Sequence, residues 1–292
     1  MNSMPSDVFT AGALVVGADG SDGALRAVRW AAGEAAARGT ALHIVHATGM
    51  RLGSAYLSEE DRRRIESFGG AVLEEAAALA RGLAPSVAVT TTLCEHGTTP
   101  CLLGEADPGA TVVVGSRGRG GFSSLLVGSD SLDVASHSPS PVVVVPGEDR
   151  ERTGVVVAGV RDERDAEALR LAARLADRDG AVLRVVSAWV FFENVGGMAA
   201  GFEGADRFAA DRARATAGTV EPVRAEFPEL EVAERVVRAG SVSEALVEST
   251  SEADLIVIGS RRHPHHPGPP LGHVTHAVLH HTHCPVVLVP RT

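Results

Sequence analysis

Short β-branched runs alternate with stretches whose apolar residues recur at helical spacing, and the alternation runs the length of the chain. In the first half, Ala13 to Ala18 predicts a strand. Ser21 then stands as an N-cap before Ala24, Leu25, Val28, Ala31, Ala32 and Ala35, which share one helix face, and Gly39 stops that helix. Leu42 to Ala47 predicts a second strand, Glu59 to Arg81 a long helix, and Val87 to Leu93 a third strand. Thr99 to Ala106 predicts a short helix and Thr111 to Val114 a fourth strand. A last helix opens at Gly128, and Pro141 and Pro146 bracket a fifth strand. Strands that are apolar throughout and joined by helices belong to a parallel sheet covered on both faces.

The second half repeats the first. Gly17 answers Gly159, Gly39 answers Gly180, Gly97 answers Gly240, Gly115 answers Gly259 and Gly128 answers Gly272, while Pro141 and Pro146 answer Pro285 and Pro290. A constant offset of this kind marks a tandem duplication. The expected architecture is α/β: two tandem doubly wound domains, each an open five-stranded parallel sheet of Rossmann-like type. The boundary falls in the charged, turn-prone segment after Gly147, giving domains 1–148 and 149–292. The valine-rich terminal strands, Val142 to Val145 and Val286 to Val289, are expected at sheet edges and would pair across an interface. Domain pairing within the chain follows, with a homodimer as a further possibility.

Composition narrows the function classes. The 292 residues suffice for two cores, and 45% hydrophobic with 22% charged residues is globular. A net charge of −10 argues against a nucleic-acid partner, whose phosphates need clustered Lys and Arg. No apolar segment has the length of a membrane span and the N-terminus lacks a signal-peptide pattern, so a soluble, cytoplasmic protein is expected. Cys94, Cys101 and Cys284 are odd in number and include no C-x2-C pair. They read as small buried apolar residues, not as a disulfide scaffold or a zinc site.

The candidate chemistry sits behind the fourth strand. Gly115-Ser116-Arg117-Gly118 is followed after nine residues by Gly128-Ser129, a G-x2-G-x9-G-[ST] pattern. Glycines allow backbone N–H groups to approach an anion and permit positive φ, and a following helix N-terminus favours negative charge. Ser129 could cap that helix or donate to a phosphate. If the first and fourth strands are neighbours, Asp19 shares the crevice with Gly115, where ligands of open α/β sheets bind. Asp19 reads equally well as the turn aspartate of Asp19-Gly20-Ser21.

Taken together, Val15-Val16-Gly17-Ala18-Asp19-Gly20-Ser21, Ala27-Val28-Arg29-Trp30-Ala31, Leu42-His43-Ile44-Val45-His46-Ala47, the glycine loop, Gly128-Ser129 and Pro141 to Val145 resemble the universal stress protein family. The resemblance spans nearly the whole chain as a tandem member. In the ATP-binding branch of that family, the aspartate after the first strand lies near the ribose and metal. The end of the second strand contacts adenine, and the glycine loop with its serine holds the phosphates. By position those roles fall on Asp19, Ala47, Gly115, Gly118, Gly128 and Ser129, with Val114 lining the base pocket. ATP, with Mg2+, is the implied ligand. Asp130 departs from the family's small apolar residue and would repel a triphosphate, a repulsion that Arg117 and Arg119 could offset.

The second domain departs further: Arg161 replaces the aspartate, Arg262 the middle glycine and His273 the serine, and Pro264, Pro267, Pro269 and Pro270 remove loop N–H donors. This copy is expected to be structural, with no ATP held in the family's way. Eight of the twelve histidines lie between His263 and His283. His273, His276 and His280 share a helix face, enough for weak metal binding, but no Cys or carboxylate is interleaved, and the tract reads as a solvated, pH-responsive surface. The chain carries no Walker A lysine and no catalytic carboxylate pair in the loop. The expectation is an ATP-binding regulatory protein. A nucleotide-free scaffold and a slow ATPase are the alternatives.

Overall fold

The computed structural model describes residues 12–50, 57–118, 127–147, 150–190, 202–261 and 271–291. The chain divides into two compact units, Met1–Gly147 and Glu148–Thr292. Each is an α/β unit built on a parallel sheet.

In unit 1 the strands are β1 (Leu14–Gly17), β2 (Leu42–Ala47), β3 (Val89–Cys94), β4 (Thr111–Gly115) and β5 (Val142–Val145). They lie in the order β3-β2-β1-β4-β5, all parallel, with Val15 opposite both His43 and Val112. The chain thus moves outward from β1 to β3 and then returns to the other side of β1 as β4. That reversal opens a crevice between the carboxyl ends of β1 and β4. Leu14, Val15 and Val16 of β1, Val112 and Val113 of β4 and Val142 to Val144 of β5 are almost wholly buried, as expected of strands covered on both faces.

Helix α1 (Asp22–Arg38) follows β1 directly. Ser21 is its N-cap, with Oγ accepting from the Ala24 N–H at 3.2 Å. Gly39 ends the helix in the left-handed conformation (φ 64°), its N–H reaching the carbonyls of Ala35 and Ala36. The face turned to the sheet is Ala24, Ala27, Val28, Ala31, Ala32 and Ala35. Small side chains there let the helix lie close on the strands. Helix α2 (Glu59–Leu83) starts with a Ser58–Asp61 capping box. Gly69 lets it pack directly over His46, since a Cβ at that position would sit 2.8 Å from the imidazole. The short α3 (Thr98–Gly104) precedes β4, and α4 (Ser129–His137) precedes β5.

Unit 2 repeats the plan with β6 (Val155–Gly159), α5 (Ala166–Asp179), β7 (Val182–Trp189), α6 (Phe202–Glu226), β8 (Val232–Arg238), α7 (Val242–Ser249), β9 (Leu255–Ser260), α8 (His273–His281) and β10 (Val286–Pro290). Its strand order, β8-β7-β6-β9-β10, is that of unit 1. The two units differ locally after their first strands. In place of the tight turn between β1 and α1, a 3-10 turn (Glu163–Asp165) leads into α5, and it buries Asp165 completely. No helix among the described residues is long and apolar enough to cross a membrane.

The cysteine expectation is corrected in part. Cys94 and Cys101 form a disulfide, with Cα atoms 6.0 Å apart. The cause is local: β3 ends at Cys94, and the chain turns through Glu95 to Gly97 straight into α3, whose first turn brings Cys101 back over the strand end. Cys284 is buried and unpaired as expected, and burial pushes its thiol up to about 12.

Candidate binding site

A cavity of about 430 Å³ occupies the crevice at the carboxyl ends of β1, β2 and β4. Asp19, Ala47, Val114, Gly115, Gly118, Gly128 and Ser129 all line it. Five elements bring these residues together. Asp19 stands just beyond β1, Ala47 ends β2, Val114 and Gly115 end β4, Gly118 lies in the loop that follows, and Gly128 and Ser129 open α4.

Asp19 is fixed by its own turn. The Ser21 N–H and Oγ both donate to Asp19 Oδ1, at 2.9 and 2.6 Å. Gly20 takes φ 79° to make the turn. The local reading of this aspartate is therefore realised, and its carboxylate also borders the cavity.

The glycines of the loop serve close approach and not backbone freedom, which corrects the positive-φ argument. Gly115, Gly118 and Gly128 are absent from the positive-φ glycines of the described residues. A Cβ on Gly115 would stand 2.6 Å from the Gly23 carbonyl oxygen, and one on Gly23 would stand 2.4 Å from the Arg117 carbonyl oxygen. The loop and the start of α1 interlock through two glycines. A Cβ on Gly118 would meet Asp19 Oδ2 at 2.6 Å. Gly128 has only ordinary contacts and is the N-cap of α4, without a side-chain cap hydrogen bond. Ser129 is thus the first residue of the helix and does not cap it. The N–H groups of that first turn remain available to an anion.

Two residues that sequence reasoning passed over complete the walls. Ser131 Oγ donates to the Gly115 carbonyl at 2.7 Å, tying α4 to the end of β4. Thr98 Oγ1 donates to Asp130 Oδ2 at 2.6 Å, tying α3 to α4. Asp130 lines the cavity, as does Arg117. Arg119 lies outside the described residues. The charged lining of this cavity is one arginine against two aspartates. A polyphosphate would meet net negative walls here, and Asp19 is the kind of carboxylate that would hold an accompanying divalent cation. His46, next to Ala47, turns away from the cavity: it is buried, bonded through Nδ1 to the Ala18 carbonyl at 2.7 Å, and meets Phe68 edge-on.

In unit 2 the corresponding crevice carries another set of groups. Arg161, Arg212, Arg261 and Arg291 line it, and Asp165 is the carboxylate among them. Asp165 Oδ1 accepts from Arg291 Nε at 2.8 Å and Oδ2 from the Arg161 N–H at 2.8 Å. His273 borders the cavity. His276 and His280 stack with ring centroids 4.4 Å apart, and burial first, then His276 and His281, holds His280 below the usual imidazole range. Among the described residues no three His, Cys, Asp or Glu side chains are grouped to hold a metal ion. Arg262, His263, His265, His266 and the prolines at 264, 267, 269 and 270 lie outside the described residues.

The model of the Universal stress protein family matches residues 12–146 and again 153–290. The chain belongs to that family, as a tandem member. A universal stress protein of Mycobacterium tuberculosis strain H37Rv is 28% identical over 297 residues, spanning 96% of this chain and 97% of its own length. Among solved structures, a universal stress protein from Archaeoglobus fulgidus covers 96% of this chain and 98% of its own at 18% identity, with a TM-score of 0.70. A shorter one from the same organism, solved in complex with dAMP, covers 46% of this chain and 95% of its own at 24% identity, with a TM-score of 0.34.

Proposed function

We propose that this chain is a cytoplasmic regulatory protein that holds one ATP, with Mg2+, in unit 1 and does not turn it over at an enzyme's rate. The observation that supports this reading is the convergence of Asp19, Ala47, Val114, Gly115, Gly118, Gly128 and Ser129 on one cavity at the point where strand order reverses. Ala47, Val45 and Val114 would take the base, Asp19 the ribose and metal, and the loop with the first turn of α4 the phosphates. Asp19 would hold the cation, whose charge would offset that of the phosphates beside Asp130. Unit 2 lacks the aspartate and serine of this arrangement and would not take ATP in the same way.

Equilibrium dialysis with labelled ATP tests it. The expected stoichiometry is one per chain, with binding weakened by Gly118→Val, whose side chain would push into Asp19. A stoichiometry near two, or binding indifferent to that substitution in a folded protein, would refute it. Hydrolysis no faster than in Asp19→Ala separates a regulator from an ATPase. A second reading, a nucleotide-free scaffold, is favoured by Asp130, which Thr98 holds at the helix start where phosphate would lie. Absence of nucleotide in the denatured supernatant of purified protein, together with no ATP binding, would establish that reading instead.

A further inference from the structure

We infer that unit 2 carries a second small-molecule site, built for a planar aromatic carboxylate and not for a nucleotide. Its cavity, about 490 Å³, is no smaller than that of unit 1 and falls in the range of small-ligand pockets. The inner part is apolar, made by Val186, Ala188, Leu246 and Ile258 beside Trp189. Trp189 and Phe208 place their ring centroids 5.1 Å apart at 52°, and Phe208 is 44% exposed, so an aromatic edge is offered at the opening. A flat ring can lie against such a pair.

The charges complete the description. Arg291 is committed to the buried Asp165, and Arg161 Nε to Asp162 at 3.0 Å. Arg212 and Arg261 make no ion pair with a carboxylate among the described residues. Arg212 gives Nη2 to Ser187 Oγ at 2.9 Å, while its Nε is buried without a hydrogen-bond partner. A buried N–H in that condition is costly until something accepts from it. Arg261 is held below the usual guanidinium range by Arg161 first, then by burial and by Arg291 and Arg164. Asp165 and Asp162 balance two of the four arginines, Arg212 and Arg261 stay without a carboxylate among the described residues, and a planar anion matches the guanidinium fork.

A nucleotide fits worse. A Cβ on Gly259 would stand 2.2 Å from Asp165 Oδ1 and 2.7 Å from Arg291 Nε, so the ion pair itself fills the space over the end of β9. Asp165 is fully buried and already accepts from Arg291 and Arg161, which leaves no lining carboxylate among the described residues to share a divalent cation with a polyphosphate.

The test is calorimetric titration of the whole protein with biphenyl-4-carboxylate, with emission followed in a Trp30→Phe background where Trp189 is the sole tryptophan. Saturable binding that perturbs Trp189 is expected, weakened about tenfold or more by Arg212→Leu and by Arg261→Leu. It should weaken with added salt and be unchanged by Gly118→Val. Arg261 is only half-buried, so its variant serves if Arg212→Leu does not fold. The proposal is overturned by no saturable binding, by binding in both arginine variants as tight as in the parent protein, or by AMP perturbing Trp189 more tightly than the aromatic acid does.

Discussion

Units 1 and 2 share strand order and crevice, yet the charges in the two crevices are opposite. One arginine faces two aspartates in unit 1, and four arginines face one aspartate in unit 2. The same backbone reversal therefore carries a net negative lining in one unit and a net positive lining in the other. The supports differ as well. Unit 1 closes its loop on α1 through Gly23 and Gly115, whereas unit 2 fills the equivalent place with the Asp165–Arg291 ion pair. Fold fixes where a ligand can sit, and a few side chains decide which ligand.

The sharpest way to break the comparison is to remove one partner of that pair. Arg291→Leu leaves Asp165 buried without its counter-charge and with the Arg161 N–H as its remaining donor, and unit 2 should lose about 3 to 5 kcal/mol. Urea unfolding followed by Trp189 in the Trp30→Phe background reads unit 2, and an unshifted midpoint would show the pair to be dispensable. Next in size is the disulfide of unit 1, which has no counterpart because Cys284 is the one cysteine of unit 2. Opening a loop this short should cost roughly 2 kcal/mol on loop-closure grounds, in unit 1 alone. Alkylation after mild reduction of the folded protein should label the half-buried Cys94 and spare the buried Cys101 and Cys284, the latter's thiol being pushed up to about 12 by burial. Labelling of all three at equal rates would contradict this.

A smaller effect concerns the cation. Chelating Mg2+ should weaken ATP binding about tenfold, since phosphate oxygens then face Asp19 and Asp130 uncompensated. Asp130→Asn should recover part of that loss, and dialysis with and without EDTA measures both. The smallest effect is that of His280. Its folded value lies below the ordinary 6.5, so between the two values the unfolded chain binds more protons and stability rises with pH. Unit 2 should lose stability as pH falls through 6.5 toward the depressed folded value, and His280→Gln should flatten that part of the profile. Equal slopes in thermal melts of both proteins would remove His280 from the account.

The strands and helices were legible because each leaves a local signal: valine runs between turn residues, alanines at helical spacing, a serine before α1 and a glycine after it. The cavity of unit 1 was legible for a related reason, as Asp19 and the glycine loop both follow strands and the strand pairing brings them together. What escaped depends on contacts distant in sequence. Cys94 and Cys101 carry no motif, and only the turn from β3 into α3 makes them neighbours. Gly118 was read for anion approach and positive φ, whereas the structure adds a neighbour far in sequence, since a Cβ there would meet the carboxylate of Asp19. Arg161, in sequence, is merely a lost aspartate. Its meaning appears when Arg212, Arg261 and Arg291, far along the chain, arrive beside it.

The outer strands β3 and β8 differ in how they would receive a visiting chain. Each pairs on one side within its unit, β3 with β2 and β8 with β7. Along β8 the exposed positions are Glu234, Arg235 and Arg238, and charges on an edge discourage further strand addition. Along β3 they are Thr90, Thr91 and Leu93, with no charge between Val89 and Cys94. Unit 1 thus presents the more permissive template, and clumping of partly unfolded protein should begin there. Light scattering on mild heating, slowed by Thr91→Lys and not by a lysine placed on β8, reads that asymmetry directly.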